Sequence, residues 1–115
     1  DIFNPKTIRA TMGSIFRVPF VYVPDLAPVL EQMHAKGIHT YAAHLKGQEY
    51  YDSFSFREPT AFLIGNEGNG LSKEISDQAG QYLKIPMEGR VESLNASIAA
   101  ALLMYEAHRQ RSARL

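Results

Sequence analysis

Short apolar runs rich in β-branched and aromatic residues alternate along this chain with stretches whose apolar residues recur at helical spacing. That alternation predicts an α/β fold with a mainly parallel sheet flanked by helices, because a parallel neighbour is reached only through a long crossover. Asn4-Pro5 reads as an N-cap and first helical residue, with Gly13 closing a short helix. Residues 15–23 read as an edge strand, or a strand followed by a turn, interrupted by Pro19. Asp25 is placed to cap a helix whose Leu26, Val29, Leu30 and Met33 share one face, and Gly37 ends it. Strands are expected at 38–43, 60–64 and 81–85, the last stopped by Pro86. A loop at 46–59, a short helix at 71–79 and a long helix from about Ser93 to Arg111 complete the reading.

A chain of 115 residues fits one domain, and 45% apolar residues suit a globular protein. The absence of cysteine excludes disulfides, thiolate zinc sites and a catalytic thiol, and fits a reducing cytoplasm. The longest nearly uncharged apolar run, residues 94–105, is too short to cross a bilayer, so no membrane partner is expected. Formal net charge is zero, which argues mildly against tight nucleic-acid binding by this segment alone. The cations nevertheless gather at the two ends: Lys6, Arg9 and Arg17 at one, His108, Arg109, Arg111 and Arg114 at the other. The second group reads first as a solvated helix end favoured by the helix dipole.

In parallel sheets, ligands bind at the loops beyond the carboxyl ends of the strands. Two such loops carry unusual residues. The first, FLIGNEGNGLS at residues 62–72, places Gly65, Gly68 and Gly70 after a buried strand, so that backbone can approach a ligand closely. Its glycine spacing is neither a dinucleotide fingerprint nor a P-loop. A tight turn would explain the glycines, but it leaves Glu67 unexplained. The second, at residues 83–97, runs from a strand stopped by Pro86 through Gly89 to Ser93 at a helix start. Ser93 alone could be an ordinary N-cap, yet Asn95 in the first turn is a poor helix former unless it binds something. In the helix that follows, Leu94, Ile98, Leu102 and Tyr105 form a stripe, while Leu103 and Met104 extend the apolar surface beyond one face, so that more than one side is expected to be buried. Its alanines permit close approach to the sheet or to a second subunit.

Together, FLIGNEGNGLS and IPMEGRVESLNASIAAALLMYEAHRQR (residues 85–111) resemble motifs two and three of the SpoU/TrmH-like RNA 2′-O-ribose methyltransferases of the SPOUT superfamily. NPKTIRATMGSIFRVPF, residues 4–20, resembles the segment preceding those motifs. The resemblance implies an α/β trefoil-knot fold, S-adenosylmethionine as cofactor, ribosomal or transfer RNA as substrate, no metal, and a cytoplasmic homodimer paired through the C-terminal helix. It implies cofactor binding at Gly65, Glu67, Gly68, Ile85, Met87, Leu94 and Asn95, and a reaction centre at Glu67, Ser93 and Asn95. Ser93 and Asn95 would position nucleotide or cofactor, and Glu67 would orient a catalytic arginine.

The family's first motif, which bears that arginine, matches nothing here; Arg9 and Arg17 lie in a different segment. Since the chain also starts at Asp1, residues 1–115 are expected to be one methyltransferase domain truncated at its N-terminus. Such a piece could be inactive alone. The alternatives are a non-catalytic RNA-binding or dimerisation module of the same fold, or another nucleotide-binding α/β domain that uses the 65–70 turn for phosphate.

Overall fold

The computed structural model describes residues 2–44, 47–65, 70–85 and 96–112. Helix α1 (Pro5–Ala10) leads into an irregular arm, and α2 (Ala27–Ala35) precedes strand β1 (His39–Ala43). Strand β2 (Thr60–Leu63), α3 (Lys73–Gln78), β3 (Gln81–Leu83) and α4 (Ala96–Arg111) follow. The strands make one sheet in the order β2-β1-β3. Both pairings are parallel, with Tyr41 opposite Phe62 on one side and Gln81 on the other. The α/β expectation is met.

Alternation along the strands sorts the core into two layers. Tyr41, Leu83 and the half-buried Phe62, Ile64 and Ile85 face α4, where they meet Leu103 and Phe56. Ala42, Leu63 and the half-buried Tyr82 face the opposite way, against Leu30 and Met33 of α2 and Ile75 of α3. The buried Thr40 hydroxyl ties that second layer together. It accepts from the Gly80 amide at 2.8 Å and shares a hydrogen bond of 2.7 Å with His34 Nε2.

The helix ends follow their local chemistry. Asn4 Oδ1 caps α1 by accepting from the Lys6 amide at 2.8 Å, whereas Asp25, expected to cap α2, stands one residue before its N-cap Leu26 and accepts from the Ala27 amide at 3.1 Å. Gly37, at φ 79°, ends α2 in a Schellman arrangement: its amide bonds the His34 carbonyl, and the Ile38 amide bonds that of Met33. Gly13 also takes a positive φ of 89°, but α1 has already ended at Ala10, and Met12 adopts φ 52° before it.

Three further expectations need correction. Residues 15–23 do not form a strand. Ser14–Phe16 is a 3-10 turn, and residues 17–26 make no ladder among the described residues. Both edges of β1 are already taken by β2 and β3, and Pro19 and Pro24 withhold amide donors from any pairing. Nor, among its described residues, is α4 buried on more than one side. Ala99, Leu103 and Glu106 are buried, whereas Ile98 is 52% and Tyr105 74% exposed. One rotation of the helix decides the outcome: Leu103 meets the sheet layer, so residues about half a turn away must point outward.

Nor is the C-terminal end of α4 simply solvated. Gln110 accepts from the Phe56 amide at 2.6 Å and donates to the Phe54 carbonyl at 2.9 Å. Arg111 donates to the carbonyls of Phe56 (2.8 Å) and Glu58 (2.9 Å). Beneath them, the buried Glu106 carboxylate receives both Arg109 Nε at 2.6 Å and its terminal nitrogen at 2.9 Å, and Gln110 at 3.0 Å. These side chains clamp the β1–β2 connection to α4. Arg114 lies outside the described residues.

The Arg109 hydrogen bonds hold the Glu106 carboxyl below its ordinary value, against the opposing effect of burial and with help from Gln110. A depressed carboxyl pKa stabilises the fold above the unfolded value of about 4.3 and loses that contribution as pH falls through the folded value. Glu106→Gln is therefore expected to lower the urea midpoint at pH 7 and to flatten the acid limb below about pH 4.3. An unchanged acid limb in that variant would show that Glu106 is not the group responsible.

Candidate cofactor site at the carboxyl edge of the sheet

Parallel strands end together, so the loops after β1, β2 and β3 leave from one edge of the sheet. Gly65 follows β2 and Ile85 follows β3, with β1 between them. At ordinary strand spacing the two positions are about 10 Å apart.

Gly65 is required by its surroundings. A Cβ there would overlap the Gly70 backbone and the Leu71 amide nitrogen, so the strand end and the return of the loop touch main chain to main chain. Gly70 takes φ 65°, which glycine adopts at least cost, but a Cβ there would meet open space. Just past the loop, Ser72 Oγ caps α3 by accepting from the Ile75 amide at 3.2 Å. Ile85 is half-buried against the layer containing Tyr41, Phe56 and Leu83, which anchors the second loop at its root.

The other expected site residues, Glu67, Gly68, Met87, Ser93, Leu94 and Asn95, lie outside the described residues. The structure thus brings the roots of the two loops, Gly65 and Ile85, to one edge. It also places there residues that the sequence did not single out. His44, immediately after β1, stacks on Tyr82 with ring centroids 5.0 Å apart. The Tyr82 hydroxyl donates to Asp77 at 2.6 Å, and that bond, aided by burial, raises its pKa and keeps the phenol protonated. Tyr50 bridges to Lys84 at the outer side of β3, and the Lys84 ammonium stands 5.8 Å from the Tyr50 ring centre. His44 and Tyr50 were hidden because one follows a strand and the other sits in an aperiodic loop. Only the parallel register aligns them with 82–84.

Among the described residues, no group of three or more His, Asp or Glu side chains could hold a metal ion. Nor is any described helix long and apolar enough to cross a membrane.

With this geometry in place, the comparisons decide the family. The profile of the SpoU rRNA Methylase family matches residues 1–105. The chain belongs to that family. A Bacillus subtilis protein named for the TrmH family of tRNA/rRNA methyltransferases is 38% identical over 104 residues, which is 90% of this chain and 42% of that protein. The crystal structure of the SpoU methyltransferase AviRb from Streptomyces viridochromogenes, in complex with AdoMet, superposes with a TM-score of 0.88. It is 36% identical and covers 98% of this chain and 44% of that one. A crystal structure described as an RNA 2′-O ribose methyltransferase superposes with a TM-score of 0.86 at 32% identity, covering 97% of this chain and 43% of that one. The chain thus spans less than half the length of these SpoU-family relatives.

Proposed function

We propose that the protein transfers a methyl group from S-adenosylmethionine to a ribose 2′-hydroxyl of ribosomal or transfer RNA. The observation that carries this reading is the match across nearly the whole chain to the AdoMet-bound AviRb structure, and it is supported by Gly65 and Ile85 of this chain, which root the two motif loops at one sheet edge.

S-adenosylmethionine, when bound, supplies a methyl already activated on a sulfonium. What remains for the protein is alignment and proton removal. Alignment of bound reactants can supply about 7–11 kcal/mol of barrier reduction. Removal of the 2′-hydroxyl proton adds about 10²–10⁴-fold. In this reading the cofactor contacts Gly65, Glu67, Gly68, Ile85, Met87, Leu94 and Asn95. Ser93 and Asn95 position the ribose and the cofactor tail, and Glu67 orients an arginine that activates the hydroxyl.

The same reading makes residues 1–115 one methyltransferase domain, knotted at its C-terminal passage and working in the cytoplasm. It pairs two subunits through the outward face of α4. The exposure of Ile98, Leu102 and Tyr105 supports that pairing, because these apolar groups lie opposite the face that packs on the sheet.

The test is transfer of labelled methyl to RNA, with S-adenosylhomocysteine titrated by calorimetry. Asn95→Ala is expected to lower transfer by about a hundredfold, as misplacement of a reactant does, with the thermal transition unchanged. Full transfer by that variant would remove Asn95 from the centre. Binding of ATP in preference to S-adenosylhomocysteine would overturn the whole reading.

A further inference from the structure

Strand β3 lies at the edge of the sheet, with β1 as its only neighbouring strand. At its carboxyl end, where the second motif loop is rooted, the β1–β2 connection nevertheless reaches both of its flanks. On the β1 side the His44 amide donates to the Leu83 carbonyl at 3.0 Å. On the outer side the Lys84 amide donates to the Glu49 carbonyl at 2.9 Å, and the Tyr51 amide to the Lys84 carbonyl at 2.8 Å. The buried Gly47 lies against the same strand end: a Cβ there would stand 3.0 Å from the Leu83 carbonyl carbon, so a side chain would press on the strand. These contacts are main chain to main chain. They fix the path of the backbone at Leu83 and Lys84, where an edge strand would otherwise leave Lys84 unpaired.

The far part of the same connection is anchored on α4. Gln110 accepts from the Phe56 amide and donates to the Phe54 carbonyl. Tyr51, Phe54 and Phe56 pack in one cluster with Leu83 and Ile85, so the segment between the two anchor points cannot shift without disturbing that cluster. A continuous path of hydrogen bonds and packed rings therefore runs from Gln110 to the root of the second motif loop.

Resting on the methyltransferase reading above, we propose that Gln110 is a positioning residue for cofactor binding. Through residues 49–56 it holds Lys84 and Ile85, and with them the root of the loop that meets S-adenosylmethionine. It acts on the cofactor only through that main chain. A site whose supporting contacts are loosened binds less well even when every residue that touches the ligand is kept.

The test is calorimetry with S-adenosylhomocysteine, run well below the thermal transition of every variant. Gln110→Ala is expected to weaken binding roughly tenfold. Leu30→Val, in the opposite core layer, controls for lost stability: it is expected to lower the thermal transition and leave the affinity unchanged. Tyr51 gives a second measurement. Tyr51→Pro and Tyr51→Ala both lose the ring, but only the proline lacks the amide that holds Lys84. Tyr51 opens a 3-10 turn and Tyr50 before it is extended, at φ −76° and ψ 154°, so proline fits there. Tyr51→Pro is expected to bind about threefold or more weakly than Tyr51→Ala.

A Gln110→Ala variant that melts lower but keeps the unmutated affinity overturns the proposal. So does Leu30→Val weakening the affinity as much, or equal affinity in the two Tyr51 variants. Absence of S-adenosylhomocysteine binding in the unmutated protein overturns the methyltransferase reading and this proposal with it, whereas binding that is indifferent to Gln110 and Tyr51 overturns the proposal alone.

Discussion

Phe56→Ala is expected to destabilise the protein by about 3–5 kcal/mol, the range for deleting a buried aromatic ring. Phe56 is fully buried although it comes from a connection, not from a strand or helix. Its ring stands edge-to-face with Tyr41 at 5.1 Å and Phe62 at 4.9 Å, and next to Phe54 at 6.5 Å. The cost belongs at the upper end because the cavity cannot collapse. The Phe56 backbone is held on both sides, its amide by Gln110 and its carbonyl by Arg111. Urea denaturation measures the effect, with Phe56→Leu as a milder companion expected to lose appreciably less. A loss below about 1 kcal/mol for alanine would show that the pocket refills, and would refute the claim that the clamp fixes this segment.

Gly65→Ala is expected to cost at least about 3 kcal/mol, the upper end of the range for overpacking, and to weaken S-adenosylhomocysteine binding at least tenfold. What the added methyl would strike is the backbone of Gly70 and Leu71, so no side chain can swing aside and no neighbouring truncation can rescue the variant. The strand end or the loop return has to move. Gly70→Ala is the informative control. Its φ of 65° makes alanine strained by about 1–2 kcal/mol, yet nothing lies within 4 Å of the new methyl. Gly65→Ala should therefore be the more damaging of the two in a thermal melt, although only Gly70 carries the positive φ. If Gly70→Ala proved the worse, or Gly65→Ala left both melting and cofactor affinity unchanged, the close approach at β2 would not be what shapes the loop.

Much of the element order was legible because it is written in short-range chemistry. Asn4 with Pro5 and Gly37 are caps whose partners lie within five residues, so the sequence reveals them and the structure repeats them. Residues 15–23 misled because β-branched and aromatic content measures fitness for a pleated surface, not the presence of a partner strand. The burial of α4 misled because its first half, residues 98–105, is apolar on more than one face, and periodicity cannot rank two apolar faces. Phe54 and Phe56 went unread because a loop has no period to mark a buried residue.

The sequence by itself determined the α/β class, the family, and which loops to suspect, since motif residues and glycine placement are local properties of the chain. Tertiary structure alone decided that β1 is central, that Leu103 rather than Tyr105 meets the sheet, and that Gln110 and Arg111 hold residues more than fifty positions away. It also decided why Gly65 is glycine: not for a dihedral angle, but because the chain returns at Gly70 against its bare Cα. Contacts between distant segments depend on how whole layers pack, and no window of neighbouring residues contains that information.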